Sequence, residues 1–288
     1  MLVTVYNTGF SEPKVRSFET TDMPTTKVFF AFDVPDYKLS FMKQLTDYIH
    51  ADKRVYVIQE AIAYSYAHKI IEGCQREFDL VVSSQKDISV NLQIPLIHTL
   101  LGEVWCNPRT HEEPKTFSVS YLPGNKFVSS LPGHQVRRNV SKYISLNSQK
   151  FPFLMDYYDP SYRIHDKGVI FDGRQFSIII ENHVRDGYIT EKLLDCVARR
   201  AVPIYRGAPD LKEHFNPKGI ITFQTIDDLN HEMSLLNEET YNIMLPYVEE
   251  NFEKLLKIRC VKVDSPYNPG IYFSRVIKAT SGFFNSSL

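Results

Sequence analysis

The feature that most constrains this chain is a succession of short apolar runs that alternate with stretches of helical spacing. Lys27–Phe32 (K-V-F-F-A-F), Arg54–Ile58 (R-V-Y-V-I) and Phe78–Val82 (F-D-L-V-V) read as buried strands. Between them, Tyr37–Ile49 has helical spacing, and Tyr66, Ile70 and Cys74 share one helical face. Strands that are apolar throughout belong to a parallel sheet with both faces covered, and helices between them imply βαβ units. Gln93–Lys115 holds Pro95, Pro108, Pro114 and H-E-E-P, and it reads as an inter-domain linker. The pattern then resumes. Thr116–Leu122 is a strand, a helix runs from Gln135, and F-S-I-I-I is a strand ending at Glu181. A helix is expected from near Tyr188, then strands at Val202–Tyr205 and Ile220–Phe223, and a last helix at Glu239–Ile258 that carries Pro246. The expected fold is α/β: two Rossmann-like domains facing across a cleft, residues 1–112 and 113–288, with the ligand at the C-terminal ends of the strands.

Composition excludes several classes. The 288 residues are 43% hydrophobic and 23% charged, which fits a globular protein. Lys and Arg number 33 against 34 Asp and Glu, and a net charge of −1 argues against nucleic acid as a partner. No apolar run approaches the roughly 20 residues of a transmembrane helix. The start, M-L-V-T-V-Y, lacks the basic and apolar regions of a signal peptide, so a cytoplasmic location is expected. The glycosylation triplets at Asn139 and Asn285 then read as chance matches. Cys74, Cys106, Cys196 and Cys260 form no C-x-x-C and read as buried free thiols.

The chemistry concentrates in E-N-H-V-R-D-G-Y-I-T-E-K, Glu181 to Lys192, which links a buried strand to a helix start. Lys192 falls in the first helical turn, where the dipole disfavours a cation and free N–H groups attract phosphate. It is either a phosphate ligand or a solvated lysine paired with Glu191 or Asp195. Arg137 and Arg138 repeat the arrangement after a Gly/Pro loop, as phosphate-binding forks or as a basic surface face. Glu60, just beyond R-V-Y-V-I-Q, is a candidate general base or an exposed strand-end carboxylate. No P-loop, G-x-G-x-x-G, D-x-D or paired-histidine spacing is present, so no metal site is expected. Trp105, the single tryptophan, is expected to pack near the linker.

The run F-S-I-I-I-E-N-H-V-R-D-G-Y-I-T-E-K-L-L-D, followed by A-V-P-I-Y-R-G-A-P and F-N-P-K-G-I-I, resembles the α-1,3/1,4-fucosyltransferases of glycosyltransferase family 10. The parts follow in order over about fifty residues, which makes the resemblance far more specific than a lone motif. It implies a GT-B type fold, GDP-fucose as donor, a glycan acceptor and no obligatory cofactor. Carried onto this chain, Arg137 and Lys192 would neutralise the diphosphate, and Asn182, Tyr188 and Glu191 would line the donor pocket. Glu60 would be the base of an inverting transfer, with an α-1,3-type linkage. Two positions depart from the family's pattern: Ile180 stands where Phe is usual, and Arg206 where Trp is usual. The absence of the anchor and stem of Golgi members points to the soluble bacterial or viral type. Two alternatives stay open: the same fold with another nucleotide sugar, which the charge of Arg206 motivates, and a non-catalytic nucleotide-sugar or glycan-binding protein.

Overall fold

A computed structural model describes residues 2–7, 14–19, 26–34, 36–59, 67–86, 88, 91–102, 104–106, 113–124, 128–129, 131–150, 167–258 and 274–286. The strands are β1 Leu2–Asn7, β2 Lys14–Glu19, β3 Lys27–Phe32, β4 Lys53–Ile58, β5 Leu80–Ser83, β6 Leu96–His98, β7 Thr116–Tyr121, β8 Arg174–Ile180, β9 Val202–Arg206 and β10 Ile221–Thr222. The helices are α1 Asp36–Met42, α2 Thr46–Ile49, α3 Ala67–Cys74, α4 Pro132–Leu146, α5 Glu191–Ala198, α6 Ile226–Leu235, α7 Glu238–Ile258 and α8 Ser274–Ser286. The chain divides into two compact units, Met1–Leu101 with Asp264–Leu288, and Gly102–Val263.

The first unit holds a sheet of order β2-β1-β3-β4-β5-β6, parallel throughout except for the β1–β2 pair. Alternation along its strands buries both faces. Phe29, Ala31, Tyr56, Ile58 and Val81 pack with Leu39, Met42, Tyr48 and Ile71 of α1 to α3. Phe30, Phe32, Val55, Val57 and Val82 face the other way and are covered by Val276 and Phe284 of α8.

The second unit is a four-stranded sheet, β10-β9-β8-β7, all parallel. Val119, Phe176, Ile178, Ile180, Val202 and Ile204 pack against Val140 and Ile144 of α4, Leu229 and Met233 of α6, and Val248 of α7. Helix α5 packs on β8 and β9 and buries every residue from Leu193 to Ala198. The strand order of this second sheet runs without a reversal among the described residues. Within this unit no topological switch point therefore marks the ligand, and the candidate site has to be located from its side chains.

The α/β class and the parallel pairing are as expected, and several boundaries differ. β1 and β2 extend the first sheet beyond the expected strands. Gln93–Lys115 is not wholly linker, because it contains β6. Pro95 lacks an N–H but its carbonyl accepts from the Val81 amide at 2.9 Å, so a proline fits just ahead of this edge strand. The division between units falls at Leu101/Gly102 rather than 112/113, and Asp264–Leu288 joins the first unit. The helix expected near Tyr188 begins at Glu191, because Gly187 turns the chain with a φ of 74° and Thr190 caps the helix. Helix α7 continues through Pro246. Cys74, Cys106 and Cys196 are buried, and Cys260 lies outside the described residues.

One glycine fixes how α4 meets the end of β8. The Gly133 amide donates to the Asn182 carbonyl at 3.0 Å, and a Cβ at Gly133 would lie 1.9 Å from the Glu181 carbonyl oxygen. Gly133→Ala is therefore expected to lower stability by about 1–3 kcal/mol, the cost of overpacking against backbone. Gly282→Ala, where nothing lies within 4 Å of the added atom, is the control and should be neutral or slightly stabilising. Urea unfolding of the two variants beside the parent protein checks this, and equal midpoints for both would contradict it.

Candidate active site

The site grows from the last residues of β8. Its apolar run ends at Ile180, and the next residue, Glu181, is fully buried. A buried carboxylate must be hydrogen-bonded, and Thr190 supplies two donors. Its amide donates to Glu181 Oε1 at 2.9 Å and its hydroxyl to Oε2 at 2.6 Å. The Thr190 hydroxyl also accepts from the Lys192 amide, which caps α5. Glu181 thus holds the start of α5 against the end of β8. Burial raises its carboxyl pKa, against the pull of the Lys192 ammonium 3.8 Å away.

Next along the chain, Asn182 receives α4. Arg137 donates twice to the Ile180 carbonyl, from Nε at 3.1 Å and Nη2 at 2.7 Å, and from Nη2 to Asn182 Oδ1 at 2.6 Å. His134 Nδ1 accepts from the Val128 amide at 2.9 Å, so its Nε2 carries the proton and donates to Asn182 Oδ1 at 3.1 Å. α4 begins at Pro132 rather than at Gln135, so Arg137 lies in the second turn, beyond the first-turn N–H groups, and its guanidinium caps a strand-end carbonyl. Burial depresses its pKa, and Glu181 is the strongest opposing influence.

At the start of α5, Lys192 Nζ donates to Glu191 Oε1 at 3.0 Å and to Thr190 Oγ1 at 3.1 Å. Lys167 Nζ lies 3.6 Å from the same Glu191 oxygen. Burial would raise the Glu191 carboxyl, but Lys192 and Lys167 outweigh it and hold it down at about 2. Burial would lower the Lys192 ammonium, but Glu191 and Glu181 raise it. Lys192 and Arg137 therefore stay charged at neutral pH. Three cations, Arg137, Lys167 and Lys192, are thus gathered among the carboxyl groups of Glu181, Glu191 and Asp195. One turn on, Asp195 is buried, and its Oδ1 accepts from the Trp105 amide at 2.6 Å and the Cys106 amide at 3.0 Å.

Of the residues expected to form the site, Arg137, Asn182, Glu191 and Lys192 are brought together here. Tyr188 is buried at 2% exposure, close enough for its phenol to influence Arg137. Glu60 lies outside the described residues, and β4 ends two residues before it. The alternative of Lys192 as a solvated lysine is half right: it pairs with Glu191 but is only 25% exposed in its side chain, and it does not pair with Asp195. Glu181, Thr190, His134 and Lys167 were not singled out from sequence. The pairing of Thr190 with Glu191 and Lys192, a cap followed by charges, is the signal that could have exposed the first two. Trp105, expected to pack, is 50% exposed. Arg206 ends β9 beside Ile180. Its Nε donates to the Gln224 carbonyl at 3.1 Å, while Nη1 is buried with no hydrogen-bond partner among the described residues. Also among those residues, no group of His, Cys, Asp and Glu is arranged to hold a metal ion, and no helix is long and apolar enough to cross a membrane.

No family's sequence profile matches the chain. Over 70 residues it is 31% identical to the alpha-(1,3)-fucosyltransferase FucT of Helicobacter pylori, a match spanning 23% of this chain and 15% of that protein's length. Among solved structures it is similar to alpha1,3-fucosyltransferase with GDP, at a TM-score of 0.48 and 18% identity over 85% of this chain and 79% of that one. It is also similar to alpha1,3-fucosyltransferase with GDP-fucose, at a TM-score of 0.47 and 16% identity over 88% of this chain and 81% of that one.

The two acids of α5 should respond to pH in opposite senses. Glu191 titrates below its ordinary 4.5, so its contribution to stability is present above that value and is lost as the pH falls toward about 2. Burial raises Asp195 to about 6 from 3.8, against the two amides that bond it, so the folded protein takes up its proton first and this group adds stability as the pH falls between those values. Asp195→Asn keeps an oxygen for both amides and removes the buried charge. It should raise stability at pH 7 by up to about 3 kcal/mol and remove this pH dependence. Unfolding curves from pH 4 to 7 that run parallel in parent and variant would refute the assignment.

Proposed function

We propose that this chain is an inverting glycosyltransferase that moves fucose from GDP-fucose to a hydroxyl of a glycan acceptor, forming an α-1,3-type linkage. The carrying observation is that two cations, Arg137 of α4 and Lys192 of α5, meet at consecutive residues of one strand end, on Asn182 and Glu181. The ordered motif from Glu181 to Lys192 and the 70-residue likeness to a fucosyltransferase support the choice of sugar.

In this reading, Arg137 and Lys192 bind the donor's diphosphate, and Asn182, Tyr188 and Glu191 line the donor pocket. Glu60 takes the proton of the acceptor hydroxyl. The acceptor oxygen attacks C1 of the fucose from the face opposite GDP, the bond from C1 to the phosphate oxygen breaks, and GDP departs with the electron pair. Charge builds on the sugar ring as an oxocarbenium ion and on the leaving diphosphate, and the two cations stabilise the latter. Because side chains supply this charge stabilisation, a metal is not obligatory in this mechanism. A second reading, the same chemistry with another nucleotide sugar, is favoured by the buried Nη1 of Arg206.

Calorimetry with GDP, GDP-fucose, GDP-mannose and UDP-sugars in EDTA tests the donor. Selective binding of GDP-fucose is expected. Tight binding of GDP with no preference for fucose favours the second reading, and no binding of any guanine nucleotide rejects the transferase. Lys192→Ala should weaken GDP binding by about 1.5–3 kcal/mol, the scale of a charge-assisted hydrogen bond. Glu60→Gln should abolish turnover with GDP affinity intact, and a variant that still transfers fucose at the parental rate removes Glu60 from the chemistry.

A further inference from the structure

An exposed tryptophan is unusual, because so large an apolar side chain normally gains by burial. Trp105 is the only tryptophan of the chain, and half of its surface is open. Its backbone is held firmly all the same. Asp195 Oδ1 accepts from two successive amides, those of Trp105 and Cys106. The Cys106 thiol donates to the Asp195 carbonyl at 3.6 Å. Three residues upstream, a Cβ on Gly102 would lie 2.3 Å from the Ile189 carbonyl oxygen, so this segment runs tightly against the turn that enters α5. The chain is pinned while the ring is left open, the arrangement expected of a preorganised contact surface.

The ring also stands next to the candidate site. Lys167 Nζ lies 3.9 Å from the indole centroid and 3.6 Å from Glu191 Oε1. One ammonium thus joins the aromatic face to the first residue of α5. Lys167 covers one face of the indole, and the half of the ring's surface that stays open, with a carboxylate and an ammonium close by, suits a sugar ring. The C–H face of the sugar packs on the indole by dispersion and electrostatics, and its hydroxyls can donate to Glu191 or accept from Lys167.

We propose that Trp105, with Lys167 and Glu191 beside it, forms a stacking subsite for a pyranose ring. The proposal rests on the glycosyltransferase reading. The sugar can be the fucose of the donor or a sugar of the acceptor glycan, which present the same chemistry.

Because the protein has one tryptophan, its intrinsic fluorescence reports this subsite directly. The whole chain is titrated with GDP, GDP-fucose, lactose and N-acetyllactosamine while Trp105 emission is followed. Calorimetry on the parent protein, Trp105→Ala and Trp105→Phe runs in parallel. Emission is expected to change with sugar-bearing ligands and not with GDP alone. Trp105→Ala should weaken those ligands by about tenfold, Trp105→Phe should recover part of the loss, and GDP affinity should hold in both. A response to GDP-fucose assigns the stacked ring to the donor, and a response to lactose or N-acetyllactosamine assigns it to the acceptor. The proposal is overturned if Trp105→Ala binds every sugar-bearing ligand as the parent does, or if none of them binds the parent. It is also overturned if GDP alone produces the full emission change, because the indole then stacks on the guanine. Failure of the parent protein to bind GDP counts against the donor reading, and the two free glycans still decide the role of Trp105.

Discussion

A carboxylate with no exposed surface sits at the end of β8, and the candidate site is arranged around it. Glu181 is tolerable there only because Thr190 gives it both an amide and a hydroxyl. Those bonds bring the start of α5 to the strand end and set Lys192 beside it. The neighbourhood is shaped to the same need, because a Cβ on Gly207 would lie 2.6 Å from Glu181 Cγ. Asn182 then seats α4, its carbonyl accepting from the Gly133 amide and its side chain from Arg137. Two helices are thus anchored on two consecutive residues.

The local rules that this region breaks have physical compensation. An ammonium in a first helical turn is unfavourable to the dipole. Lys192 offsets this by sitting between two carboxylates, and the buried Arg137 guanidinium is satisfied by a strand-end carbonyl. Both cations are held in place by the protein itself, so little ordering is left for an anion to impose. Arg206 differs, since burial lowers its pKa and no carboxylate among the described residues stands against that.

Sequence pattern was sufficient for the α/β class, for most strands and for the gathering of Arg137, Asn182, Glu191 and Lys192. Those features rest on local regularities: apolar runs, helix starts and one dense motif. What it left out depends on contacts between distant parts of the chain. β6 was hidden behind Pro95, whose missing N–H matters only if the strand is paired on that side. Glu181 looked like the polar end of a strand, because nothing in its spacing tells a buried carboxylate from an exposed one. Trp105 was assigned to packing on residue type alone, and its exposure depends on Asp195, ninety positions away.

The first unit is discontinuous in sequence, and that bears on how the protein forms on the ribosome. The face of its sheet carrying Phe30, Val55 and Val57 is closed by Val276 and Phe284 of α8. Those residues follow the whole of the second unit in sequence. The continuous segment Gly102–Val263 can complete its own core while that face is still open. The first unit can therefore close that face only after all of the second unit has been synthesised, so the apolar face stays open in the nascent chain across more than 160 further residues.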